Sequence, residues 1–144
     1  MFARRLAPAT MLVALLLGGL PVLACTDDGT STGPAPGAAL VGTWEATSFS
    51  TDTEDFIAQG MTLRITLNAD KTYEIEFTND LVGACTPGPD CINTGDYGAT
   101  VSTLTIDPGT ADQTVFVYNI KGAELTLTGQ IGGIDVTIVL DQVT

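Results

Sequence analysis

Histidine is absent from the 144 residues, and basic residues are scarce, five against 17 acidic ones. Without imidazole there is no Ser-His-acid relay, no histidine base and no imidazole metal site. Three cysteines and no histidine do not make a structural zinc site, since Cys85 and Cys91 supply only two thiolates. No glycine-rich loop has the phosphate-cradling pattern. Aromatic residues make up 6% of the chain, with a single tryptophan, Trp44. From Cys25 onward the 17 acidic residues face only Arg64, Lys71 and Lys121, a balance of −14. A surface of one sign repels phosphate backbones, and no basic patch is interleaved with aromatics, so nucleic acid is excluded as a partner. The acidity keeps the protein soluble, or attracts cationic partners or divalent metal weakly.

Carboxylates are the remaining candidates for chemistry. Glu74 and Glu76 share one face of a strand-like segment, and Glu45 lies on another. Alternation with Tyr73, Ile75 and Phe77 places both Glu74 and Glu76 on the solvent side, where they stay ordinary surface charges. Asp107, Asp112, Asp135 and Asp141 lack the spacing of a calcium loop and suit turns and surface positions. The sequence therefore offers no catalytic residue, no metal site and no cofactor site, and implies a non-enzymatic protein.

What is present begins with an export signal. Arg4 and Arg5 form a positive start, residues 6–20 an apolar segment, and residues 21–25 a run of small and apolar residues ending in cysteine. The apolar run is shorter than the about 20 residues a membrane helix requires. Residues 1–24 are thus expected to be a cleaved signal peptide. Val22-Leu23-Ala24-Cys25 resembles the lipobox of bacterial lipoproteins. That resemblance implies a diacylglycerol on the Cys25 thiol, cleavage before it, and acylation (palmitate) of the new amino terminus. Several chains together anchor firmly where one is marginal. In a diderm bacterium it further implies attachment to the outer membrane on the periplasmic route, since Thr26 stands where an aspartate would signal retention at the inner membrane. Residues 25–39, rich in Gly, Pro, Ser, Thr and Asp, read as the lipidated cysteine and a flexible tether, with Asp27 and Asp28 hydrated.

From Leu40 the pattern becomes strand-like, and residues 40–144 form the expected domain, large enough for one core. Residues 41–49 read as a first strand. Thr51 and Glu54 form a possible capping box and Gly60 a stop, which predicts a short helix or turn whose Phe56 and Ile57 cover one end of a barrel. Leu63, Ile65 and Leu67, then Tyr73, Ile75 and Phe77, alternate with polar residues across a tight connection at 68–71. Residues 79–95 read as a loop. Export favours oxidation, so Cys85 and Cys91 are expected to form a disulfide, contributing about 2–3 kcal/mol in the chain-entropy model. Further strands are expected near 99–106, 113–120, 123–128 and 134–141, with Asp96-Tyr97 starting another or lengthening one. The prediction is all-β: a small antiparallel up-and-down barrel of seven or eight strands, closed so that no edge is left bare.

Leu40-x-Gly42-x-Trp44 at the head of this series resembles the opening motif of the lipocalin-like, or calycin-type, proteins. Leu67-Asn68-Ala69-Asp70-Lys71-Thr72-Tyr73 is similar to the hairpin turn of small bacterial lipocalin-like lipoproteins, and Gly95-Asp96-Tyr97 and residues 122–127 follow their turn-and-strand theme. The resemblance implies that Trp44 packs across the barrel base and that Gly42 permits close approach. No arginine lies near the chain's end to stack on Trp44; the nearest basic residues are Arg64 and Lys121. Two roles follow: binding a small hydrophobic ligand lined by Phe49, Phe56, Phe116 and Tyr118, or contact with an envelope protein. In the second, residues 26–39 would act as the inhibitory segment of protease-inhibiting relatives does. The expected partners are thus a bilayer through acylated Cys25, and either a small apolar ligand or an envelope protein.

Overall fold

The computed structural model describes residues 35–144; Cys25, the signal segment and most of the tether lie outside the described residues. Eight strands follow a 3-10 helix at Ala38–Leu40: β1 (Gly42–Ser50), β2 (Thr62–Leu67), β3 (Thr72–Thr78), β4 (Cys91–Ala99), β5 (Thr103–Ile106), β6 (Thr114–Lys121), β7 (Glu124–Ile131) and β8 (Ile134–Val143). Each pairs antiparallel with the next, and β8 returns to β1, giving a closed barrel in sequential order. The all-β up-and-down reading is correct, with the strand number settled at eight.

The inward residues form one core: Trp44, Phe49, Leu63, Leu67, Leu104, Leu125, Leu127 and Leu140 are among those almost wholly shielded from water. No polar or charged side chain among the described residues is fully buried. Strict alternation would put Trp44 and Phe49 on opposite faces, because they are an odd number of residues apart. The structure resolves this with a bulge in β1: Ala46 pairs with Leu140 and Ser48 with Val139, leaving Thr47 as the extra residue. Such an insertion inverts the facing of everything beyond it. Phe49 consequently turns inward, and the Thr47 hydroxyl donates to the Val139 carbonyl, 3.3 Å away.

The structure settles one alternative and corrects two expected boundaries. Of the short helix or turn expected after Thr51, the structure forms the turn, in fact a chain of turns. Its cause is Asp55, whose carboxylate accepts from the backbone N–H groups of Ile57 (2.9 Å) and Ala58 (3.2 Å) and from the Ser48 hydroxyl (2.7 Å). A short acidic side chain offers the backbone a competing partner and folds it back on itself, here bridging Asp55 to Ser50 of β1. The segment 79–95, expected to be a loop, gives its last residues to a strand: Cys91–Gly95 belong to β4. Their inward positions carry no apolar signal because Cys91 is in a disulfide, Asn93 is exposed, and Gly95 has no room for a side chain. The expected strand at 99–106 is instead the end of β4, a turn, and β5; Thr100 makes that turn by accepting from the Thr103 N–H at 3.0 Å. Gly37 is buried, and the Ala38–Leu40 helix leads into β1.

The ladder is incomplete at one seam. β4 pairs with β5 only through Tyr97, Gly98 and Ala99. Beyond Ile106 the chain turns at Asp107, where φ is +49°, and the Tyr73 hydroxyl donates to the Asp107 carboxylate at 2.7 Å. A methyl group on Gly95 would collide with the Asp107 carboxylate and with the Tyr73 ring at 2.9 Å. Gly95→Ala should accordingly destabilise the domain by about 1–3 kcal/mol, the usual cost of overpacking. Gly98→Ala on the same strand meets nothing within 4 Å and should shift stability far less. Denaturant midpoints of the two variants test this, and equal midpoints would refute it.

Candidate functional site: the barrel interior and its mouth

The two ends of the barrel are built differently. At the base, the first strand carries Trp44 inward, and its indole Nε1 donates to the Leu40 carbonyl at 2.8 Å. Leu40 itself is wholly buried, so the 3-10 helix is held across the barrel end by the ring that it helps to cover. Gly42 has φ +144°, a backbone that disfavours a side chain, and a Cβ there would stand 3.1 Å from the Gln142 amide. The 68–71 hairpin closes the same end. The Tyr97 hydroxyl donates to the Asn68 carbonyl at 2.8 Å, and the Lys71 ammonium lies 5.1 Å from the centre of the Tyr97 ring. Lys71 adopts φ +72°, as a tight connection with no glycine requires.

The opposite end is the mouth, where no comparable hydrogen-bonded plug occurs among the described residues. Phe56 meets Phe49 edge to face, with ring centres 5.6 Å apart. Around them Thr51, Leu81, Val82, Ile131, Ile134 and Val136 line a cleft of about 200 Å³. Leu81 and Val82 are presented by a loop that Asp80 organises, accepting from the N–H groups of Val82 (2.9 Å) and Cys85 (2.7 Å). The Cys85–Cys91 disulfide forms as expected and ties that loop to the start of β4. Below the cleft, past Phe49 and Ile131, lies an internal cavity of about 60 Å³. Its lining is apolar throughout, including Ile75, Phe77, Ile106, Phe116 and Leu127.

Of the four aromatic residues predicted to line a ligand space, Phe49 and Phe116 face the internal cavity and Phe56 the cleft. Tyr118 faces neither. Its hydroxyl is tied to the Thr100 carbonyl at 2.8 Å, in the turn between β4 and β5 near the base. Sequence reasoning passed over Ile131 and Ile134, which flank the last hairpin, and Leu81 and Val82, which lie in the disulfide loop. Ile131 and Ile134 carried a signal, being inward by the period of their strands at a mouth where little packs above them.

Carboxylates do not assemble into a reactive pair. Glu45 and Glu76 flank Arg64 on the outer wall, at 3.5 and 3.8 Å, with all three half exposed. Among the described residues, no three acidic or thiol side chains are grouped to hold a metal ion. The side chains that line the internal cavity are all apolar.

A closed eight-stranded meander around an apolar interior, opened by Gly-x-Trp, defines a calycin-type barrel. The chain belongs to the lipocalin-like domain family, whose model matches residues 40–139. No curated protein matches it in sequence. Among solved structures, it is similar to a Schistosoma mansoni fatty acid binding protein in complex with arachidonic acid, at 13% identity and a TM-score of 0.44, over 74% of this chain and 98% of that one. The REP1-NXSQ fatty acid transporter is similar at 12% identity and a TM-score of 0.45, over 74% and 98% of the two chains. Fatty-acid-binding protein 1 of Echinococcus granulosus follows at 9% and 0.40, over the same shares.

Two titrations report on the two ends. The Ser48 hydroxyl, above all, holds the Asp55 carboxyl below its ordinary value of 3.8; burial pushes the other way, and the backbone N–H groups of Ala58, Phe49 and Ile57 add to the lowering. The stability it contributes is present above that ordinary value and is lost as pH falls through the lower, folded one. Asp55→Asn should lower stability at neutral pH and flatten the acid limb, read as the midpoint of unfolding against pH. At the seam, burial first and then the Asp107 carboxylate push the Tyr73 phenol well above 10. Stability from the neutral phenol is complete below 10 and is lost as pH rises beyond it. Tyr73→Phe should therefore shallow the alkaline limb, and an unchanged limb would contradict the assignment.

Proposed function

We propose that this protein is an extracytoplasmic lipoprotein whose barrel holds a small hydrophobic ligand, entering by the mouth and reaching past Phe49 into the interior. The observation that carries the reading is the continuity of apolar surface from cleft to cavity, which share Phe49 and Ile131. Eight-stranded barrels stand at the size where the interior is either filled or holds one small ligand. Here the interior proper is smaller than the about 300–1,000 Å³ of usual ligand pockets. A slender ligand, partly housed in the cleft, fits that space; a bulky fused-ring one does not.

Leu81 and Ile134 are exposed at the rim, 41% and 59%, so replacing them leaves the core intact. Leu81→Asp and Ile134→Asp should each weaken uptake of an apolar fluorescent probe by about tenfold, equivalent to ~1.4 kcal/mol, with little change in unfolding midpoint. Retained uptake in both would remove the mouth from the reading. Trp44 is a poor reporter because it sits at the base, so probe emission and native mass spectrometry are the measurements to use.

Anchoring rests on the lipobox-like residues 22–25. Cys25→Ser should release the protein from membranes into the soluble fraction, and persistence in the membrane pellet would overturn the anchor. A protein partner is the second reading. The observation favouring it is a set of outward valines, Val101, Val115 and Val117, exposed by 84%, 46% and 59% on the β5–β6 side.

A further inference from the structure

We propose that the barrel selects its ligand by charge, accepting uncharged chains and rejecting anions, carboxylates included. This rests on the apolar-ligand reading above and narrows it.

Among the described residues the cations are Arg64, Lys71 and Lys121, and each is placed away from the ligand space. Arg64 stands on the outer wall between Glu45 and Glu76. Lys71 lies over the Tyr97 ring at the base. Lys121 is exposed at the end of β6, beside the base-side turn into β7. The internal cavity offers neither a cation nor a hydrogen-bond donor on any lining side chain. A carboxylate drawn inside would lose its water and gain no partner, and the low-dielectric interior would hold it out until it took a proton.

The rim adds to this exclusion. Residues lining the cleft are next in sequence to acidic ones: Thr51 to Asp52, Phe56 to Asp55, Leu81 to Asp80, and both Ile134 and Val136 to Asp135. No cation lines the cleft. An anionic head left at the mouth therefore finds no cation to pair with, and the chain around the cleft adds only charges of its own sign. An uncharged head meets no such penalty, and the Thr51 hydroxyl is a polar side chain in the cleft that can receive it. The chemistry thus favours an alcohol, ester or plain hydrocarbon end on a single chain.

Chain-matched probes separate the possibilities: 1-decanol, methyl decanoate and decanoate, each competing against an apolar fluorophore on the purified protein. At about pH 8 the alcohol and the ester should displace it, and decanoate should be at least about tenfold weaker. Decanoate should gain affinity toward about pH 5 as it becomes protonated, while decanol changes little. Thr51→Lys, which puts a cation in the cleft, should strengthen decanoate binding at about pH 8 without strengthening decanol. Decanoate binding as tightly as decanol at pH 8 would overturn charge selection while leaving the apolar-ligand reading intact, as would a Thr51→Lys variant indifferent to decanoate. Failure of all three probes to displace the fluorophore would overturn the apolar-ligand reading itself.

Discussion

The one extra residue in β1 decides what the barrel can be. Closing a meander requires its first strand to pair on both sides, and β1 does so unevenly, with β2 from Gly42 to Glu45 and with β8 from Thr43 to Ser50. Thr47 sits in the longer ladder, and the bulge there bends the strand and reverses which side chains face inward. Because of that reversal, one strand delivers Trp44 to the base and Phe49 to the mouth. Remove the extra residue and one of the two rings faces water. The base would then lose its plug, or the cavity its gate.

The two ends that β1 connects are held by different forces. Every aromatic polar tip at or near the base has a defined acceptor: Leu40 for Trp44, Asn68 for Tyr97, Asp107 for Tyr73 and Thr100 for Tyr118. Hydrogen bonds fix orientation as well as position, and a buried donor deprived of its acceptor costs about 1–3 kcal/mol. The mouth depends on the Phe49–Phe56 ring contact and on aliphatic side chains. An edge-to-face pair contributes about 0.5–1.5 kcal/mol beyond its area, and apolar contacts can re-form around a guest. Asp55 keeps the backbone of the covering segment in place while leaving the Phe56 ring without a polar tether. A hydrogen-bonded base under a mouth of apolar contacts suits the proposed entry from one side.

Much of this was legible in the sequence, and the failures share a cause. Strands with one wet and one dry face announced themselves by alternation, as at 62–67 and 72–78, and Gly42-x-Trp44 marked the base. Pairing of Cys85 with Cys91 followed from compartment. What alternation could not show was any place where an inward position carries something other than an apolar side chain. Gly95 is inward but empty because Tyr73 and Asp107 fill its space, so β4 looked like loop. Phe49 is inward only because of a bulge that has no signature in Ala46-Thr47-Ser48. The Thr51–Glu54 pair looked like a capping box, but Asp55 uses its carboxylate on the same stretch of backbone. Tyr118 was assigned by residue type alone; its place was decided by a carbonyl 18 residues earlier.

Domain size limits how the ligand space is divided. Empty volume inside a core costs roughly 24 cal/mol per Å³. At about 60 Å³ the internal cavity costs on the order of 1–2 kcal/mol, which a small domain with ~5–15 kcal/mol of stability sustains. An internal void of ~300 Å³ would cost about 7 kcal/mol on the same scale, as much as the whole margin of many such domains. A barrel of about a hundred residues therefore gains room for a guest at its mouth rather than in its centre. The sequence meets that constraint by filling the centre with leucine, isoleucine and phenylalanine. It keeps Leu81, Ile131 and Ile134 partly exposed at the rim, where leaving apolar surface in water costs less than hollowing the core. The same economy accounts for the cations: with so little interior, a buried ion pair for a charged head would displace packing that the fold needs.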